Sequence, residues 1–397
     1  MIAPEEAWRR LLEHLRPLPA RRLPRALAAG RVVAESLRAT VDVPFADVSA
    51  MDGYAVGGDA AAGTSLPVVA TVAAGAPPGL VLPPGAAARI MTGAPLPVGA
   101  DRVVPREEVA ADGEQIAIRV APPSGAHVRR RGEVQRAGEP LLAAGDLLTP
   151  GALALLAAHG HDEVAVHPPP RLALLVTGDE VVAPERKPGP GQLRDSHGAF
   201  VVAAATAAGA EVRSLGIAGD DPRLLRERLE QGLAADLLLV TGGVSQGDYD
   251  FVEPVLAALG FDTLFDAVAI QPGKPLVAAV AGAGQPLVFG LPGNPASAMV
   301  CFWLFVRPAL RRLQGHADGF WVGALDGTLA TALPSAGARD RFLPATVEAR
   351  EGRLHVTPWL ARGSHDLAAY ARGNALVRVT AGSPPAPAGA HCSVLPL

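Results

Sequence analysis

The stretch Thr241-Gly242-Gly243-Val244-Ser245-Gln246-Gly247-Asp248-Tyr249-Asp250 has residue types suited to holding a phosphate. An apolar run over 237–240 stops at the glycine pair, and an acid-bearing loop leads into Phe251-Val252-Glu253-Pro254. That order predicts a strand, an open turn and a helix start. Without side chains at Gly242 and Gly243, main-chain N–H groups stay accessible to an approaching anion. Three more loops fall at predicted strand ends: Thr177-Gly178-Asp179-Glu180, Gln271-Pro272-Gly273-Lys274-Pro275 and Leu291-Pro292-Gly293-Asn294-Pro295. In an open α/β sheet, loops at the carboxyl ends of the strands ring the ligand crevice.

Several polar residues here also have a purely structural use. Asn294 before Pro295 and Asp221 before Pro222 read as helix N-caps followed by proline at the first helical position. Asp250 with Glu253 resembles a capping box, and Ser196 could cap a helix beginning at His197. Capping is the expected role of Asn294, Asp250 and Asp221, and it is compatible with a ligand at the same helix ends. Glu180 and Lys274 have no comparable structural use.

The elements that would position these loops are readable from periodicity. Strand runs at 172–176, 212–217, 237–240, 264–270 and 286–289 alternate with helical stretches near 197–209, 222–234, 251–259 and 296–313, which predicts a mostly parallel sheet with helices on both faces. Helical spacing is also expected over 4–16, 23–37 and 149–160. Short strands and turns over 54–136 and again over 318–397 predict β-rich units. Pro168-Pro169-Pro170 marks a boundary.

With 397 residues the chain has room for two to four domains, and its apolar share of 49% supports real cores. A net charge of −4 gives no reason to expect nucleic acid or an anionic membrane as partner. Two cysteines cannot build a disulfide framework, which points to a reducing cytoplasm; Cys301 reads as a core residue. No secretory signal is expected, and the most apolar segment, 299–306, is too short to cross a bilayer. His159, His161 and His167 fall around a helix end and a loop, not in a metal-binding arrangement.

Two longer motifs, Ser49-Ala50-Met51-Asp52-Gly53-Tyr54-Ala55-Val56 and Arg89-Ile90-Met91-Thr92-Gly93-Ala94-Pro95, are similar to signatures of the MoeA family. The segment 171–315 resembles the molybdopterin-binding domain that MoeA shares with gephyrin and the Mog-type adenylyltransferases. Arg129-Arg130-Arg131-Gly132-Glu133 and Gly363-Ser364-His365 also fit, so the resemblance runs along nearly the whole chain. It implies a multidomain α/β plus β protein. Residues 1–45 and 137–167 would form an elongated linking and dimerisation domain, and 46–136 a β-rich inserted domain. Residues 168–317 would form a Mog-like doubly wound molybdopterin-binding domain, and 318–397 a C-terminal β-barrel-like domain.

The resemblance further implies molybdenum cofactor biosynthesis: molybdate gives its metal to adenylylated molybdopterin, and AMP leaves with help from Mg²⁺. The homodimer would join the α/β domain of one subunit to the inserted domain of the other. A molybdopterin adenylyltransferase and molybdoenzyme maturation proteins are possible partners. Splitting a phosphoanhydride needs charge neutralisation and positioning more than a protein nucleophile, and Mg²⁺ needs only one or two carboxylates beside a phosphate. By position in the motifs, Asp52, Thr92, Glu180, Asp220 and Asp250 are the catalytic candidates, with Glu180, Asp220 and Asp250 as metal ligands. Asp195, Ser196, Gly242, Gly243, Ser245, Lys274, Pro292, Asn294 and Ser364 are the cofactor-binding candidates. Ser364 could instead be an ordinary turn hydroxyl. Arg129, Arg130 and Arg131 would either attract molybdate or form a solvated basic turn.

The chain departs from the family pattern at four places. Val134 stands where Asp is usual, Gln271 where Lys is usual, and Val48 and His197 where Asn is usual. These departures keep open a catalytically weakened paralogue acting as molybdopterin carrier or scaffold. A Mog-type adenylyltransferase would explain 171–315 and leave the first 170 residues unused.

Overall fold

Short apolar runs divided by glycine turns build the first of three large sheets in the computed structural model, which describes residues 1–58, 60–243 and 251–397. Its strands are β1 (Gly53–Val56), β2 (Ser65–Val72), β3 (Ala87–Ile90), β4 (Arg102–Pro105), β5 (Val109–Ala111) and β6 (Gln115–Ile118). They lie in the order β4-β1-β3-β2-β6-β5. Ile90, Val103, Ile116 and Ile118 are buried. This sheet belongs to a compact unit, Leu23–Val164; the other unit comprises Met1–Arg22 and Ala165–Leu397.

The second unit carries the α/β sheet. Its strands are β7 (Arg171–Thr177), β8 (Glu211–Ala218), β9 (Leu237–Thr241), β10 (Asp262–Phe265), β11 (Val277–Val280) and β12 (Leu287–Leu291). The order is β8-β7-β9-β12-β11-β10, with the first four parallel and the last two joined antiparallel. All of β9 and β12 is buried, as expected of strands covered on both faces. On one face Leu172, Leu239 and Phe289 belong to a core with Phe302 and Phe305. On the other, Leu175 and Val240 belong to a core with Leu225, Leu229 and Val252.

The helical stretch expected near 296–313 exists as Pro295–Cys301, a wide π turn Phe302–Val306, and Arg307–Leu313. Pro308 accounts for the interruption, because proline has no N–H to give to the carbonyl four residues back and crowds it.

Strands β13 (Leu325–Leu329), β14 (Asp340–Arg350), β15 (Arg353–Pro358), β16 (Ala375–Val379) and β17 (His391–Pro396) form the third sheet. They follow the order β14-β15-β13-β17-β16, and β16 pairs back to β14, closing a five-stranded barrel. Leu343, Val356, Val377 and Val394 share its core. The multidomain α/β plus β class is therefore as expected.

Three local expectations are corrected. Helical spacing over 23–37 gives instead a strand, Arg21–Pro24, and one 3-10 turn, Arg25–Leu27. Gly30 has φ +72° and Val32 and Val33 are β-branched, so propensity there opposes a helix. The single strand expected over 264–270 is two: β10, and Ile270–Gln271, which pairs with β14 of the barrel. Strand β11, Val-Ala-Ala-Val, was not expected, because its alanines lack the bulk that marks a strand.

Among the described residues, no helix is long and apolar enough to cross a membrane. Cys301 is buried and its thiol pKa is raised by desolvation, which agrees with a core residue. His161 and His167 each bond a backbone carbonyl, and His159 is buried, its Nδ1 without a partner among the described residues.

Candidate active site

The carboxyl ends of β7, β9 and β12 open onto a hollow of about 530 Å³. It is lined by Glu180, Asp195, Ser196, Asp220, Gly242, Gly243 and Asn294, so the fold gathers seven of the candidates drawn from five separate loops. Gly242 and Gly243 have φ +89° and +63°. A Cβ on Gly242 would stand 2.8 Å from both the carbonyl oxygen and the hydroxyl of Thr177. Only glycine lets the two strand ends approach so closely while leaving the turn open. Ser245 and Asp250, and with Asp250 the capping box, lie outside the described residues.

Acids in this hollow are held by backbone donors. Asp179 Oδ1 accepts the N–H of Asp220 at 3.0 Å and so fixes the turn that presents Asp220. Asp195 Oδ1 accepts the N–H of Gly198 at 2.8 Å. This bond corrects the reading of Ser196 as the cap: the hydroxyl of Ser196 makes no capping bond, and the acid beside it takes that part. Asn294 likewise makes no side-chain cap bond, so its amide is not committed to the helix, whereas Asp221 does cap, accepting from Arg223 and Leu224. His197 also lines the hollow; burial lowers its pKa, and its Nε2 is buried without a partner among the described residues.

Asn294 borders a second hollow of about 310 Å³ as well, so the two adjoin. Lys274, Pro292 and Ser364 line this one, together with Gln271, Arg339 and Arg341, and among the described residues no carboxylate lines it. The loop bearing Ser364 is pinned by Asp366, which accepts the N–H groups of Arg362 and Ala369 at 3.0 and 3.1 Å. The Ser364 carbonyl in turn accepts the N–H of Ala296 in the first turn after Asn294. Tyr370 donates its hydroxyl to the Phe342 carbonyl at 3.0 Å, and burial raises its pKa, which keeps the phenol neutral. Asp340, between the two arginines, turns away into an ion pair with Arg378, as strand alternation requires. Among the described residues, an anion would meet three cations here and no fixed negative charge.

Arg339, Arg341, Asp179, Arg194 and His365 were not among the sequence candidates, yet all five border or build these hollows. The spacing Arg-Asp-Arg at a strand start was the available clue for the first two. Asp179 was visible in its loop but had no motif to mark it.

Asp52 and Thr92 are in the other unit, where β1 and β3 pair. Asp52 Oδ1 accepts both the N–H and the hydroxyl of Thr92, each at 2.8 Å. Those bonds, with Arg106 and Arg89 nearby, lower the Asp52 pKa. In the arginine triplet, Arg130 pairs with Asp47 at 2.6 Å and Arg131 with Asp42 at 2.6 Å. Two of the three charges are thus already answered on an exposed turn, which favours the solvated-turn reading.

An open α/β sheet of this kind carries its ligand crevice at the carboxyl ends of its strands, and here a glycine-lined, acid-bearing hollow lies there beside a basic one. Comparison with known proteins agrees. The MoeA N-terminal region (domain I and II) matches residues 2–160, a probable molybdopterin binding domain matches 173–312, and the MoeA C-terminal region (domain IV) matches 326–397. The chain is 39% identical to the molybdopterin molybdenumtransferase of a Nostoc species over 88% of this chain and 82% of that one. It is 42% identical to that of Synechococcus elongatus over 86% of each. A MoeA crystal structure from Pyrococcus horikoshii superposes with TM-score 0.84 at 30% identity, covering 100% of this chain and 99% of that one. The chain belongs to the molybdopterin molybdenumtransferase family, the MoeA proteins.

Proposed function

We propose that this chain inserts molybdenum from molybdate into adenylylated molybdopterin and releases AMP, as a step of molybdenum cofactor biosynthesis. The observation that carries this reading is the pair of adjoining hollows sharing Asn294, one acidic and glycine-lined, the other basic. In this reading Gly242 and Gly243 receive the phosphate or pterin through main-chain N–H groups, and Asp195 and Ser196 contact the cofactor. Lys274, with Arg339 and Arg341, attracts the dianionic molybdate, and Pro292 and Ser364 shape the space around it.

Among the described residues, no three of His, Cys, Asp and Glu are grouped closely enough to hold a metal ion. Mg²⁺ does not need such a cage, because it keeps several waters and takes one or two carboxylates plus substrate phosphates. The oxygen donors Glu180 and Asp220 in the acidic hollow fit that requirement, with Asp250 as a third proposed ligand. When bound, the ion would neutralise charge on the phosphoanhydride. Asp179 would keep Asp220 in place, and Asn294 would present its uncommitted amide where the hollows meet.

The proposed assembly is a cytoplasmic homodimer with the four-domain division expected from the sequence. Asp52 and Thr92 would then complete the cleft from the other subunit. The direct test is AMP release from bound adenylylated molybdopterin, with and without molybdate and Mg²⁺. Release that ignores molybdate would remove the insertion reading. Formation of the adenylylated cofactor from molybdopterin and MgATP would favour an adenylyltransferase instead.

The weakened-paralogue reading has less support. Gln271 lines the basic hollow, but Lys274, Arg339 and Arg341 remain there, so positive charge is retained. Val134 is an exposed residue of the other unit. If the carrier reading holds, the double change Val134→Asp, Gln271→Lys should accelerate AMP release in a single turnover; an unchanged, fast rate would remove it.

A further inference from the structure

Outside the two hollows, Trp303, Arg307, Arg311 and Asp318 border a separate cavity of about 460 Å³. Its remaining wall is largely apolar, from alanines of the helix His197–Ala207 and the end of β17. Trp303 and Arg307 are four residues apart, and the guanidinium carbon sits 5.1 Å from the indole centroid. Arg311 is answered by Asp318 at 2.5 Å. Arg307 is not answered: among the described residues no carboxylate pairs with it, and it donates one hydrogen bond, to the Pro396 carbonyl at 3.2 Å.

Burial lowers the Arg307 pKa against a weaker through-space pull from Asp318, so the charge has been drawn partly out of water with no carboxylate bonded to it among the described residues. The indole Nε1 of Trp303 is also buried with no acceptor among the described residues. Arg307 keeps donors beyond its one hydrogen bond, and a partly desolvated cation with no bonded carboxylate favours a negative acceptor. A bare ion does not need this volume; the cavity is within the range of small-molecule sites, which begins at about 300 Å³.

We propose that this cavity binds a small organic oxyanion, a carboxylate or phosphate monoester. Its oxygens meet the unused edge of Arg307 and its body fills the apolar wall. The site is distinct from the cofactor hollows and does not depend on their function.

The test uses the full chain with ¹⁵N-labelled tryptophan, titrated with phenyl phosphate, benzoate and inorganic phosphate. Trp303→Phe identifies the Trp303 indole resonance. Phenyl phosphate or benzoate should shift it saturably at concentrations at least about tenfold below those of inorganic phosphate, a difference of about 1.4 kcal/mol. Arg307→Gln should weaken that response at least tenfold, about the same free energy. Val322→Trp, at an exposed position on the rim, should block the response without touching the core. Absence of a saturable shift would overturn the proposal. So would an equal response to all three anions, or a response that survives both Arg307→Gln and Val322→Trp. A change of oligomeric state in Arg307→Gln, with no ligand response in the parent chain, would assign the cavity to a subunit contact instead.

Discussion

Asp52 takes two hydrogen bonds from one residue: the N–H and the hydroxyl of Thr92 both end on its Oδ1, each at 2.8 Å. The second carboxylate oxygen makes no hydrogen bond among the described residues, and the charged form is favoured because both donors stabilise it. Thr92→Val removes the hydroxyl and keeps the backbone donor and the side-chain shape. The Asp52 pKa should rise part of the way toward its ordinary value, and AMP release should slow with the fold intact. Carboxylate NMR titration reads the first effect and single-turnover kinetics the second. An unmoved pKa would show that the hydroxyl contributes nothing to the carboxylate.

Asp179 is a positioning residue in the proposed site. Asp179→Ala removes the acceptor for the Asp220 N–H, which should cost about 1 kcal/mol of stability. The larger effect should be on AMP release, because the Asp220 turn loses its anchor. Asp179→Asn keeps a carbonyl oxygen and should recover most of the rate. Equal rates for the alanine and asparagine variants would dismiss the anchoring role.

Gly242→Ala should be destabilising by about 1–3 kcal/mol, because alanine is strained at φ +89° and its Cβ would press on Thr177. Thermal unfolding measures this. Gly30→Ala provides a control with positive φ and nothing within 4 Å, so it should cost less than Gly242→Ala.

Asp52 and Glu180 belong to different compact units. If a shared cleft forms across a homodimer, mixing Asp52→Ala with Glu180→Ala should restore part of the activity through mixed dimers. No recovery, with subunit exchange shown by a tagged copy, would count against the shared cleft.

His197 makes a pH prediction. Its pKa in the folded chain lies below 6.5, because burial disfavours the imidazolium. The unfolded chain therefore binds the proton more readily, and stability falls as pH drops below about 6.5 toward the folded value. His197→Asn should flatten that part of the stability profile. Denaturant unfolding at pH 7 and 5 measures it, and an unchanged slope would show that other groups set the acid response.

Sequence by itself determined the class of fold, the order of its parts and seven of the residues around the acidic hollow. It could do so because Gly242-Gly243, Asn294-Pro295 and the 49–56 motif are local requirements. A backbone at positive φ needs glycine wherever the strand ends point. Pairings distant in sequence were decided only by the tertiary structure. The run 264–270 is uniform in sequence, yet its two ends join different sheets. Asp195 displaces Ser196 as the helix cap, although both have capping side chains, because its oxygen reaches the Gly198 N–H. Arg339 and Arg341 reach Lys274 only because the barrel strand β14 pairs with Ile270–Gln271, just before the Lys274 loop. Electrostatic sites depend on distances between chain segments, and local propensity contains no term for those.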